Sequence, residues 1–230
     1  MWMKSRRFQR LGGGRLERMG IGFISRIQLM QLGGHKDPKI TGLIRQVRRE
    51  RKSLLMANEA FMVYSIARAQ SKRPGAFAEV GVFDGGSARM TCDVKGDKEL
   101  HLFDTFEGLP QSVEQDRDVH RKNQYTSNFD SVKAYLSDFE NVFLHKGLFP
   151  DSAKGLKEMK FSFAHFDVDI YESTLGCLEY FYPRMNPGGI MLSHDYSLLA
   201  GVETAFTEFL ADKPEELIEL PTTQCMVVKL

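Results

Sequence analysis

The sequence predicts an α/β fold, with a mostly parallel seven-stranded sheet and helices on both faces. Three observations carry that prediction. Strand and helix patterns alternate from residue 76 onward, Pro74-Gly75 separates this series from a long helical pattern before it, and F-A-H-F at 163–166 has the character of a buried strand. At 230 residues the chain fits one large domain with an extension and leaves little for a second catalytic domain.

Residues 1–38 read as a basic N-terminal arm, and residues 39–230 as the main domain. Gly12, Gly13, Gly14, Gly33, Gly34 and the closing Asp37-Pro38 leave the arm weakly determined, although Ile21, Phe23, Ile24, Ile27 and Met30 can line one side of a short helix. A helical pattern then covers 40–69. Strands are expected at 76–82, 99–104, 142–145, 161–168 and 190–193, with two closing strands near Leu217 and Val227. Helices fall between them at 87–94, 129–139, after Pro150-Asp151, at 172–185 and at 202–210. The polar stretch 107–128 is long for a connection in a compact domain, and reads either as a lid or as a solvated insertion.

The formal net charge of +1 conceals an asymmetry. Within the first 52 residues only Glu17, Asp37 and Glu50 oppose a series of lysines and arginines, whereas the remainder is acidic. The arm is expected to pack on the domain or on a second copy of the chain, as in a homo-oligomer. An anionic membrane surface is the rival, and no nucleic-acid partner is expected. Cys92, Cys177 and Cys225 form no C-x-x-C pair, which fits a reduced intracellular setting. No run approaches the roughly 18 apolar residues of a membrane span, so the expectation is a soluble, cytoplasmic protein.

In a sheet of this kind ligands bind beyond the C-terminal strand ends. The first, second, fourth and fifth strands end at Gly81, Asp104, Asp167-Val168-Asp169 and His194-Asp195, which directs four strand ends at one crevice. E-V-G-V-F-D-G-G-S, 79–87, turns a strand into a helix through Gly81, Gly85 and Gly86 and ends in Ser87. It is either an ordinary glycine-rich turn or a place where a nucleotide-like cofactor approaches the backbone; its spacing is wrong for G-x-G-x-x-G, and Glu79 suits an ammonium group better than a phosphate. L-H-L-F-D-T-F-E-G-L-P, 100–110, offers Asp104 to ribose hydroxyls, followed by Thr105 and Phe106. Phe103 and Phe106 either flank an adenine or belong to the core. Asp167 and Asp169, at i and i+2, fall on one face of a strand and repel each other unless a cation, a proton or a substrate lies between them. Neighbouring strand ends can place Asp167, His194 and Asp195 around one ion, and the imidazole favours manganese, zinc or iron over magnesium. The plainer alternative makes Asp169 a helix cap and His194 a satisfied core residue.

Taken in order, E-V-G-V-x-x-G-G-S, L-x-L-F-D-T-F-E-G-L-P, H-K-G-L-F-P-D, D-V-D-I-Y-E-S-T, L-E-Y-F-Y-P-R and P-G-G-I closely resemble the macrocin O-methyltransferase family, from about Arg48 to Asp212. The resemblance implies a Rossmann-like class I methyltransferase fold. It also implies an S-adenosylmethionine-dependent enzyme that methylates a sugar hydroxyl of a glycosylated metabolite or polysaccharide, commonly with magnesium. On that basis Glu79 and Gly81 line the methionine end of the cofactor and Asp104 its ribose, with Gly85, Ser87, Thr105 and Phe106 completing the cofactor site. Asp167 is then a metal ligand with His194 and Asp195, and Asp169 the general base. The family usually carries two aspartates before the tyrosine of the fifth-strand motif, where this chain has His194-Asp195-Tyr196. That departure implies a softer metal than magnesium, one ligand fewer, or His194 as the catalytic base of a metal-free enzyme. A nicotinamide-dependent dehydrogenase is disfavoured by the missing G-x-G-x-x-G. A non-catalytic binding module is disfavoured by retention of both Asp167 and Asp169.

Overall fold

The structure is a computed structural model and describes residues 4–10 and 15–230; the glycines at 12–14 lie outside the described residues. Phe161–Phe166 is buried at every position and Leu100–Asp104 at all but the last, the pattern of strands covered on both faces. Ala76–Val80 (β1), Leu100–Asp104 (β2), Val142–Lys146 (β3), Phe161–Phe166 (β4), Met185–Ser193 (β5), Leu217–Glu219 (β6) and Cys225–Val228 (β7) form one seven-stranded sheet in the order β3-β2-β1-β4-β5-β7-β6. The first five pair in parallel, and β7 runs antiparallel to both its neighbours. The chain builds outward from β1 to β3, then returns to place β4 on the other side of β1. That reversal opens a crevice above the C-terminal ends of β1 and β4.

Helices cover both faces. Arg6–Gln9 (α1), Arg15–Gly33 (α2), Pro38–Glu50 (α3) and Ala57–Gln70 (α4) precede the sheet, and Gly86–Cys92 (α5), Phe129–Tyr135 (α6), Tyr171–Phe181 (α7) and Ala200–Leu210 (α8) alternate with its strands. On β4, Phe163 enters the core layer beneath α4, α5 and α6, while Ala164 and Phe166 enter the layer beneath α7 and α8 with Phe181 and Phe206. Among the described residues no helix is long and apolar enough to cross a membrane.

Several elements differ from the sequence expectation; the helix expected after Pro150-Asp151, for one, is only a 3-10 helix over Asp151–Leu156. The helix expected over 40–69 is two helices, because Arg51 donates to the Asp84 carboxylate (3.0 Å), Lys52 N donates to the same group (2.8 Å), and Glu59 accepts from Met56 N to start α4 afresh. The helix expected over 172–185 stops at Phe181, where Pro183 allows only a 3-10 turn. β5 then begins at Met185 rather than 190, and a register shift between Phe161 and Phe163 of β4 absorbs Pro187, Gly188 and Gly189.

The arm carries a helix of 19 residues rather than a short one. Its inward stripe is Ser25, Leu29 and Leu32, packed toward Ile44, Val47 and Tyr64 of α3 and α4. Of the stripe that the sequence picks out, Phe23, Ile27 and Met30 face outward, whereas Ile21 and the half-exposed Ile24 border the crevice at the strand ends.

Candidate active site

A cavity of about 480 Å³ occupies the crevice, within the size range of small-molecule sites. Its floor is made by the strand ends. The β-ladder runs one residue past them, with Asp167 N donating to Val80 O (2.9 Å) and His194 N to Phe166 O (2.8 Å), and this sets Asp167 and His194 side by side. Successive residues of a strand point to opposite faces, so His194 and Asp195 would ordinarily diverge. Asp195 instead has φ 57° and Asp169 φ 61°, and these left-handed turns bring both carboxylates back to the cavity. Convergence of Asp167 with Asp169 therefore comes from this turn beyond β4, not from strand periodicity.

Ligand atoms of Asp167, His194 and Asp195 lie within 4.8 Å of one another. His194 Nδ1 is 3.1 Å from Asp195 Oδ2 and 3.4 Å from Asp167 Oδ1, yet neither ring nitrogen makes an aligned hydrogen bond. An imidazole whose two buried nitrogens are unsatisfied, beside two carboxylates, is a donor set suited to a divalent cation with nitrogen affinity, and the residues fit that group. Burial alone would lower the His194 pKa, but Asp195, Asp167 and Glu59 outweigh it and hold it well above the usual imidazole range. Burial, reinforced by Asp167 and Asp195, pushes the Asp169 carboxyl well above its ordinary value.

Across the crevice, Asp104 Oδ2 accepts from Phe83 N and Oδ1 from Phe106 N, both at 2.7 Å. Burial raises its pKa, and these backbone donors oppose the rise. Asp104 lines the cavity with Gly81, Gly86, Ser87 and Thr105. Gly81 is required sterically: at φ 87° a Cβ would sit 1.8 Å from the Asp167 carbonyl oxygen. Its demand comes from the packing of β1 against the end of β4. Glu79, Gly85 and Phe106 do not line the cavity. Glu79 is buried behind it, accepting from Ser87 Oγ (2.6 Å), with His165 Nδ1 3.6 Å away. Phe106 is a core residue, whereas Phe103 is buried in the core and also borders the cavity.

The stretch 107–128 closes over the cavity. Gly108, Leu109, Pro110, Val119, His120 and Tyr125 line it, and buried Asp116 fastens the stretch by accepting from Tyr171 N at the start of α7 (2.7 Å) and from Val113 N (2.9 Å). Gln9, Ile21 and Ile24 complete the wall, and Arg6 pairs with Asp118 (2.5 Å), so the arm meets both cavity and lid.

Two lining residues carry no signal in the sequence motifs. His120 lies in the lid, its ring nitrogens unpaired and its pKa lowered by burial. Glu59, on α4, places Oε2 3.1 Å from His194 Nε2. Only the folded chain brings it there, 135 residues from its partner in sequence, and no local pattern could reveal it.

A sequence profile described as Macrocin-O-methyltransferase (TylF) matches residues 59–224. The 8-demethyl-8-(2,3-dimethoxy-alpha-L-rhamnosyl)-tetracenomycin-C 4'-O-methyltransferase of Streptomyces olivaceus is 31% identical over 144 residues, covering 54% of this chain and 54% of the relative. Mycinamicin III 3''-O-methyltransferase of Micromonospora griseorubida is 26% identical over 147 residues, covering 55% of this chain and 57% of the relative. The chain thus spans little more than half the length of these curated relatives. Among solved structures, the O-methyltransferase NovP superposes with a TM-score of 0.68 at 21% identity, covering 77% of this chain and 81% of NovP. The calicheamicin methyltransferase CalS11 superposes with a TM-score of 0.66 at 19% identity, covering 89% of this chain and 91% of CalS11. Both share its fold. With the profile match running through every strand end that floors the cavity, this chain belongs to the macrocin O-methyltransferase family.

Proposed function

We propose that this protein is an S-adenosylmethionine-dependent O-methyltransferase that acts on a sugar hydroxyl of a glycosylated metabolite, with a divalent cation at Asp167, His194 and Asp195. The observation that carries the reading is the convergence of these residues and Asp169 on one cavity with Asp104, in a chain of this family. The named relatives act on a rhamnosyl tetracenomycin and on mycinamicin III, both glycosylated compounds by those names or their sugar-position numbering.

Cavity chemistry supports a cationic methyl donor. Asp104, Asp167, Asp169, Asp195 and Glu59 all line the space, an environment that favours a sulfonium and an ammonium group and disfavours a dinucleotide pyrophosphate. Asp104 is placed to accept from ribose hydroxyls. A divalent cation supplies the charge that makes a nearby hydroxyl easier to ionise. Asp169, which faces the same space without belonging to the ligating trio, takes the hydroxyl proton as the oxygen attacks the methyl carbon and the carbon–sulfur bond breaks, its electron pair staying on the sulfur of the departing S-adenosylhomocysteine. The lid residues Leu109, Pro110 and Val119 hold water away from the donor, and Ile21, Ile24 and Leu198 give one wall the apolar character that an aglycone would fill.

Calorimetry with S-adenosylhomocysteine and NAD, followed by transfer of labelled methyl from S-adenosylmethionine to a panel of rhamnosides, tests this reading. The expected result is binding of the homocysteine product, none of NAD, and label in the sugar. Tight NAD binding without S-adenosylhomocysteine binding would contradict it.

A further inference from the structure

We propose that Glu59 is a positioning residue for the cation site: it holds His194 by Nε2, so that Nδ1 is the nitrogen offered to the metal. This role rests on the cation reading above, and it concerns a residue outside the ligating trio.

Glu59 is 1% exposed and held by two hydrogen bonds, with the His194 ring as its third neighbour. Its Oε2 accepts from Met56 N (2.7 Å), its Oε1 accepts from Thr223 Oγ1 (2.9 Å), and Oε2 reaches His194 Nε2 at 3.1 Å. The opposite ring nitrogen, Nδ1, faces Asp195 at 3.1 Å and Asp167 at 3.4 Å, the side on which the three ligand atoms converge. An imidazole that binds a metal through one nitrogen commonly donates its other N–H to a carboxylate, which fixes the tautomer and ring plane and raises ligand basicity. Glu59 stands where that carboxylate is needed.

A purely structural alternative exists, since Glu59 also caps the start of α4. Packing alone, however, gives no reason for an anion to sit on the far edge of an imidazole whose near edge already meets two carboxylates. Burying a third carboxylate there is costly unless the ring donates to it and a cation offsets the pair in front. The break between α3 and α4 gives the device its origin: the chain leaves its helix at 51–56 and restarts at α4 with Glu59 beneath His194.

The test uses the full chain titrated with cobalt(II) and manganese(II) by calorimetry, as wild type, Glu59→Gln and Glu59→Ala, with melting of each metal-free protein as the folding control. Wild type is expected to bind cobalt more tightly than manganese, the order an imidazole ligand favours. Glu59→Ala should lose about 10- to 100-fold in cobalt affinity and alter the visible spectrum of the bound ion, with Glu59→Gln in between because it keeps an acceptor for Met56 N and for the ring. In the zinc-loaded wild type, 15N NMR of His194 should show Nε2 protonated and Nδ1 ligated, a readout that needs no variant to fold. Failure of the wild type to bind any of these ions would overturn the cation site and this role together. Wild-type binding with unchanged affinity and spectrum in folded Glu59→Ala, or zinc on Nε2, would overturn the role of Glu59 alone.

Discussion

Asp104 at the end of β2 and the carboxylates of Asp167, Asp169 and Asp195 beyond β4 and β5 face the same cavity, but their charges are met in different ways. Both oxygens of Asp104 are held by the backbone N–H groups of Phe83 and Phe106. On the other side carboxylates crowd one another around His194, whose ring nitrogens have no aligned hydrogen bond. On the proposed reading, the β2 side is a finished recognition surface for the donor, whereas the β4/β5 side is completed by a cation and an acceptor, so that donor binding and acceptor chemistry divide across one crevice.

Asp169→Asn should show the largest effect. It removes the proposed proton acceptor while leaving the proposed ligating trio intact, so methyl transfer should fall by about 10² to 10⁴ with metal and S-adenosylhomocysteine affinity retained. Equal losses in rate and metal affinity would place Asp169 among the ligands and blur the division proposed.

Gly81→Ala strikes the seam between the two sides. A Cβ there meets the Asp167 carbonyl oxygen, and φ is 87°. Urea denaturation should show a loss of at least about 2 kcal/mol, since a positive φ alone costs about 1–2 kcal/mol for a non-glycine residue. Unchanged stability would mean that β1 and the end of β4 are free to separate.

Asp104→Ala should weaken S-adenosylhomocysteine binding by about 1.5–3 kcal/mol, the range for a hydrogen bond to a charged group, without changing manganese affinity. A loss of metal binding instead would show that the two sides are one site energetically.

A carboxylate outside the crevice calibrates the contrast. Burial would raise the Glu215 pKa, but hydrogen bonds from Lys229 and from Tyr182 (2.7 Å) overcome it and hold it down at about 2. Because the folded value lies below the ordinary 4.5, this group contributes stability that is full above about pH 4.5 and is lost as pH falls toward 2. Lys229→Met should therefore flatten that part of the stability-versus-pH curve, as followed by thermal melting, while leaving ligand binding untouched.

Much of this organisation is written locally. Apolar runs ended by Gly81, Asp104, Asp167 and His194 place four strand ends correctly, since strand period and βα alternation depend on near neighbours in sequence. What escapes depends on distant partners. The break between α3 and α4 is made by Asp84, the position of Glu79 behind the cavity by Ser87 and His165, and the placement of Glu59 and His120 at the cavity by chain segments that meet only in the fold. The pairing of Asp167 with Asp169 was legible for an incomplete reason: the spacing identifies the two residues, but a left-handed turn rather than strand geometry aims them.

The claim that the β4/β5 side is built for a cation is tested most directly by an anomalous difference map from crystals of the full chain grown with S-adenosylhomocysteine and manganese. The account predicts one strong manganese peak within coordinating distance of Asp167, His194 Nδ1 and Asp195, with Asp104 on the ribose of the bound product. An ordered product with no peak at the trio, and His194 donating to the surrounding carboxylates instead, would contradict it.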